Sequence, residues 1–176
     1  MSTGSIVEAG LIQAARAGDE VAFDALVGPL VEPAFKLAAV ILGDSHEAQD
    51  AVQEATIKAW RSLGTVRDEA AVRRWFLAIV ANQCRSMRRA RWWSVIRMGS
   101  IPSPEAGPGE HELQLDLGRE LSRLPATDRA VIFLFFYLDL PLAEVAKVLS
   151  ISPQAAKSRV HRAVTRLRLG MDEVKP

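Results

Sequence analysis

A chain of 176 residues with 49% hydrophobic and 24% charged side chains can bury one or two compact cores, which excludes a disordered chain. Its single cysteine, Cys84, excludes an internal disulfide. His46, His111 and His161 lie too far apart for zinc-site spacing, so no metal and no other cofactor is expected.

The net charge of +1 hides a strong segregation. Residues 1–66 carry four basic and nine acidic groups, a net of −5, and residues 67–97 carry eight arginines against Asp68 and Glu69, a net of +6. Residues 98–118 carry four acids and no base, residues 119–152 balance, and residues 153–176 carry six basic and two acidic groups. Two basic blocks set between acidic ones point to two anion-binding surfaces; solvated helix faces are the plainer alternative. The longest unbroken apolar run, Ala130 to Leu138, is nine residues, far short of a membrane span of roughly 20. The start, Met1-Ser-Thr-Gly-Ser5, lacks the basic and apolar segments of a signal peptide, so a cytoplasmic protein without membrane insertion is expected.

Along the chain, Val21–Leu26 and Val31–Leu42 have helical apolar spacing, with an expected interruption at Gly28-Pro29 and an end at Gly43. Asp44 or Ser45 is placed to cap the next helix, whose core stripe is Ala48, Ala51, Val52, Ala55, Ala59 and Leu63. Asp50, Gln53, Glu54 and Ile57 fall at i, i+3, i+4 and i+7 on another face, and Gly64 stops the helix. A third helix, from about Glu69 to Arg91, should bury Val72, Trp75, Phe76, Ile79, Val80 and Met87, and its second half is basic. Trp92 and Trp93 either stack on a ligand or close the bundle, and closure is the expectation.

Glycine and proline then concentrate in Gly99–Gly109, which cannot be helical and is read as a linker. Beyond it, Leu113, Leu117, Leu121 and Leu124 keep helical spacing up to Pro125, and Thr127 is the expected cap of the next helix. The organisation is therefore all-α: a helical domain over 1–97, a flexible acidic Pro/Gly linker over 98–112, and a second small bundle over 113–176.

The last two helices carry the sharpest signal. Pro141 opens one that runs to Leu149, Ser150-Ile151-Ser152 forms a tight turn, and Ser152 with Pro153 starts the second. Ala156, Val160, Ala163, Val164 and Leu167 form its packing stripe, opposite Gln154, Lys157, Ser158, His161, Arg162 and Thr165. No acid occurs from Pro153 to Gly170, against five basic residues. That pattern is a helix-turn-helix whose second helix suits the DNA major groove.

These residues resemble the extracytoplasmic-function RNA polymerase sigma factors over nearly the whole chain. Leu124-Pro125…Arg129, Leu140-Pro-Leu-Ala-Glu144-Val-Ala146 and Lys157-Ser158-Arg159…Arg162-Ala163 are similar to their region 4. Asp50-Ala-Val-Gln53-Glu54…Ala59-Trp60 and Trp75…Asn82…Arg89 are similar to their region 2. The resemblance implies a protein that directs core polymerase to promoters, assists DNA melting and catalyses nothing. It implies that Asp50, Gln53, Glu54 and Ile57 meet the β′ clamp of core RNA polymerase. Thr65, Arg67, Asp68, Trp75, Asn82, Arg85, Arg88 and Arg89 would serve the minus-ten element of promoter DNA. Gln154, Lys157, Ser158, His161, Arg162 and Arg166 would serve the minus-thirty-five element, with region 4 also holding the β flap. Lys157, Ser158 and His161 are the expected base readers and Arg162 and Arg166 the phosphate contacts. The acidic linker would lie near the RNA path, and in the free chain the acidic segments would face the basic blocks and mask them.

An anti-sigma factor is an open candidate partner. Ser150 stands where the family often has glycine, and Gln154-Ala155-Ala156 where it often has Gly-Thr-Val, which leaves the upstream promoter sequence open. An enzyme would need a nucleophile–base pair, metal cluster or phosphate loop, and none is legible. The competing reading is a stand-alone helix-turn-helix transcriptional regulator whose first bundle dimerises or senses a ligand.

Overall fold

The computed structural model describes residues 3–66, 71–97 and 121–173, and every regular element among them is helical. They are α1 (Thr3–Arg16), α2 (Glu20–Leu42), α3 (Ser45–Ser62) with a closing 3-10 turn Leu63–Thr65, and α4 (Val72–Arg97). After them come α5 (Ala126–Ile132), which runs into a π-helical turn Phe133–Tyr137, then α6 (Leu142–Leu149) and α7 (Pro153–Glu173). The expected linker and the leucines at 113 and 117 lie outside the described residues.

Side chains and glycine set the element ends. Asp19 Oδ1 accepts from the amides of Val21 and Ala22 at 2.9 and 3.1 Å and starts α2. Gly43, at φ 75°, ends it in the left-handed region and donates its N–H to Ala39 O at 2.8 Å. Asp44 Oδ1 then accepts from Glu47 N at 2.8 Å, a bond that holds its carboxyl below the usual range. In the second unit Ser150 takes the left-handed turn, at φ 51° and ψ 47°, and Ser152 Oγ accepts from Ala155 N at 3.1 Å to open α7.

Four features depart from the sequence reading. The pattern missed α1, whose Ile12 and Ala15 enter the core. Helix α2 does not break at Gly28-Pro29 but continues through Pro29 and Pro33. Each interior proline costs about 3 kcal/mol, yet Phe23, Val27, Ala34, Leu37, Ala38 and Ile41 form one buried side across them, and that packing wins. The same helix has the length and composition of a membrane span, but it packs against α1, α3, α4 and α5. Thr127 caps nothing: α5 starts at Ala126, Pro125 occupies the cap position, and its carbonyl receives the amides of Asp128 and Arg129. Trp92 does not close the bundle; it stands 53% exposed.

One apolar core runs through both units. Leu37, Leu63, Phe76, Leu77 and Val80 fill the first, and the same cluster continues into Val131, Leu134, Val145 and Val148. Helix α4 packs on α2 and α3 with one side and on α6 with another, while α2 packs on α5. Cys84 is fully buried in the core, and burial pushes its thiol up to about 12.

The alanines at 48, 51, 55 and 59 are fully buried and let α3 sit close to its neighbours. Ala55→Leu should therefore overpack this seam and cost about 1–3 kcal/mol, read as a lower urea midpoint with an unchanged m-value.

Candidate nucleic-acid interface

Helix α7 turns its polar side outward. Gln154, Lys157, Ser158, His161, Arg162 and Thr165 are all exposed, Ala156 and Ala163 are fully buried, and Val160, Val164 and Leu167 are half-buried. The stripe and the outer face thus fall where helical periodicity puts them. Arg159 and Arg166 turn toward α5 instead. Arg159 Nη1 lies 2.8 Å from Asp128 Oδ1, and Arg166 Nη1 lies 3.7 Å from Asp128 Oδ2. Arg166 is therefore shared between solvent and a buried carboxylate, while the rest of the set faces solvent.

Asp50, Gln53, Glu54 and Ile57 share one exposed face of α3, backed by its alanine stripe. Ile57, 40% exposed, adds an apolar centre to three polar groups, a mix suited to a protein surface. Glu47 meets Arg91 at 3.2 Å and ties α3 to α4 beside this face.

The third set lies along α4. Trp75, Asn82 and Arg89 are spaced by seven residues, so they follow one side of the helix at intervals of about 10 Å. Trp75 is half-buried against the core, whereas Asn82, Arg85, Arg88 and Arg89 are exposed. Thr65 is exposed in the turn after α3 and donates to Ser62 O at 2.7 Å; Arg67 and Asp68 lie outside the described residues.

The second unit closes over part of this side. Arg85 hydrogen-bonds to Asn82 Oδ1 and donates to Leu149 O at 2.6 Å and to Ser150 Oγ at 3.2 Å. Arg73 donates to Leu138 O at 2.9 Å, and Arg74 meets Glu144 at 2.6 Å. From the other side, Arg129 Nε donates to Val40 O at 2.9 Å and Nη1 to Ser122 O and Leu124 O at 3.1 and 2.9 Å. Burial pulls the Arg129 pKa down, and its three carbonyls offset the loss of water.

Sequence reasoning missed Arg73, Arg74, Arg129, Asp128 and Glu144 as contact residues. One signal was available. Asp128 stands between Leu124 and Val131 at core spacing, where an acid demands a partner. The expected facing of acidic segments and basic blocks takes another form here. Among the described residues Arg74–Glu144 is an ion pair joining the units, beside arginines on carbonyls, Arg85 on the Ser150 hydroxyl, and Lys36, which donates to the Tyr137 hydroxyl at 2.8 Å.

The family model described as Sigma-70 region 2 matches residues 26–94, and that described as Sigma-70, region 4 matches residues 114–167. The ECF RNA polymerase sigma factor SigM of Mycobacterium tuberculosis is 32% identical over 161 residues, covering 91% of this chain and 82% of that protein. The RNA polymerase sigma factor SigV of Bacillus subtilis is 29% identical over 136 residues, covering 77% and 82%. Among solved structures, the sigma factor RpoE in complex with the anti-sigma factor NepR from Bartonella quintana aligns with a TM-score of 0.73 at 24% identity. It covers 87% of this chain and 98% of that one. CnrH in complex with the cytosolic domain of CnrY aligns with a TM-score of 0.70 at 23% identity, covering 96% and 99%.

Arg74 and Glu144 are each about one quarter exposed, so their attraction is only partly screened. Glu144→Arg should cost about 1 kcal/mol in urea unfolding and enlarge the radius of gyration in solution scattering. Adding Arg74→Glu should reverse both effects, because the pair is restored with its signs exchanged.

Proposed function

The chain belongs to the sigma-70 family of RNA polymerase sigma factors, in its extracytoplasmic-function group, and on that premise we propose how its surfaces are divided. It directs core polymerase to promoters. The single observation that carries the division is that one chain presents two outward faces of opposite character. The face of α3 is acidic and polar with an apolar centre, and the outer face of α7 is basic and free of acids.

In our reading the α3 face (Asp50, Gln53, Glu54, Ile57) docks on the β′ clamp. Lys157, Ser158 and His161 reach base edges in the major groove, with Gln154 and Arg162 at its phosphate edge, and the second unit also meets the β flap. Arg166, drawn toward Asp128, is left out of that set. On α4, Trp75, Asn82, Arg85, Arg88 and Arg89, with Thr65 and the expected Arg67 and Asp68, take the separated minus-ten strand. Unstacking a base costs a few kcal/mol, which pocket contacts and arginine–phosphate attraction offset. No catalytic step is assigned to the chain, because promoter opening by this route needs binding energy alone. The domain division at 98–112 fits this scheme, and the protein acts in the cytoplasm, where the polymerase is.

Asn82 and Arg85 serve the minus-ten strand in this scheme, and Arg85, itself bonded to Asn82, also binds the α6–α7 turn, so the free chain would hold the pair back until polymerase parts the units. An anti-sigma factor fits as a partner that prolongs this closed form. One solved structure of similar fold is a sigma factor in complex with an anti-sigma factor. The alternative of a stand-alone regulator is not favoured.

The experiment is core binding. Asp50→Lys with Glu54→Lys should weaken capture of core polymerase at least tenfold while the circular dichroism spectrum stays helical, because both positions are exposed. Undiminished capture by the folded variant would remove α3 from the polymerase interface.

A further inference from the structure

Asp128 is 3% exposed and is the one buried charged side chain among the described residues. A buried carboxylate is costly unless paired, and both of its partners come from the DNA-facing helix. Oδ1 accepts from Arg159 at 2.8 Å, and Oδ2 lies 3.7 Å from Arg166. The two arginines are seven residues apart, close to two turns, and so leave the same side of α7. The carboxylate therefore grips the helix at two levels along its axis, away from Lys157, Ser158 and His161.

Two consequences follow from that geometry. The grip sets the rotation of α7 about its own axis. A rotation of about 20° moves a side-chain head at roughly 6 Å radius by about 2 Å, more than a hydrogen bond to a base edge tolerates. Asp128 also draws on the charge of two arginines that would otherwise add sequence-independent attraction to phosphates.

We propose that Asp128 is a specificity-determining positioning residue of the promoter-reading helix. It holds Arg159 and Arg166 against α5, so that base contacts are aligned and non-specific phosphate contacts are limited. The proposal rests on the reading of α7 as the upstream recognition helix, and the test separates the two.

Holoenzyme is reconstituted from core polymerase and the full chain. Its affinity is measured across a salt series for a genomic promoter fragment retained by the wild-type holoenzyme, and for the same fragment with its minus-thirty-five segment replaced. Wild type should prefer the intact fragment; no preference would overturn the reading of α7 itself. Asp128→Asn should lower that preference about tenfold and steepen the slope of log affinity on log salt by about 0.9, the signature of one added phosphate contact. Arg166→Gln should leave the wild-type slope unchanged and cancel the steepening in the Asp128→Asn background. A wild-type preference that survives Asp128→Asn with an unchanged slope, whatever its melting temperature, overturns the proposal. So does a shallower slope for Arg166→Gln alone, which would place that arginine on a phosphate already. Should Asp128→Asn fail to fold, Arg159→Gln removes one of the two grips and must lower the preference without the steepening; retained preference overturns the proposal equally.

Discussion

A helix leaves its last carbonyls without partners, and in this protein arginines from the opposing unit fill several of them. Leu149 is the final residue of α6 and takes Arg85; Leu138 follows the π-helical turn and takes Arg73; Val40, in the last turn of α2, takes Arg129. A cation at such a site satisfies an acceptor and also meets the negative end of the helix dipole. Hydrogen bonds of this type contribute about 1.5–3 kcal/mol each when part-buried. Arg73 and Arg85 leave the same helix, α4, which the apolar core also places between the units. The position of the second unit therefore depends on α4 on both counts.

That dependence links closure to function. A guanidinium that binds a carbonyl is equally suited to a phosphate, since each asks for a planar donor and a positive charge. In our reading Arg85 is used twice, once on the α6–α7 turn and once on the promoter strand, and the two uses exclude each other. The helix-turn-helix obeys the same economy. Ser150 accepts a left-handed backbone in the turn, its hydroxyl meets Arg85, and the turn that shapes the reading head also latches it down. Opening then requires polymerase to compensate for the lost carbonyl contacts as well as the shared apolar surface.

Much of this was legible from periodicity. The alanine stripe of α3 and the two faces of α7 follow directly from 3.6-residue spacing, whereas on α4 the spacing found Val72, Phe76 and Val80 but not the fully buried Leu77, Ala81 and Cys84, and Trp75, Ile79 and Met87 are half-buried. The outer face of α7 was legible by what it lacks, since Pro153–Gly170 carries five basic residues and no acid, a pattern suited to anions. Periodicity failed where local rules were outweighed. Gly28-Pro29 read as a break, and only the packing around α2 keeps Pro29, like Pro33, helical. Trp92 read as core because tryptophan usually packs, and it stands exposed at the end of a basic stretch. The contacts of Arg73, Arg85 and Arg129 were not legible, because a carbonyl has no letter in the sequence and its availability depends on where a distant helix ends.

The account stands on the chain being an initiation factor and not merely a DNA-binding one, and run-off transcription separates the two most directly. Core polymerase and the full chain are incubated with a library of genomic fragments, and transcripts are mapped at their 5′ ends. The account predicts discrete transcripts that appear only when the chain is added and share sequence elements near minus ten and minus thirty-five. Fragments that the chain binds without polymerase, yielding no chain-dependent transcript, would contradict it.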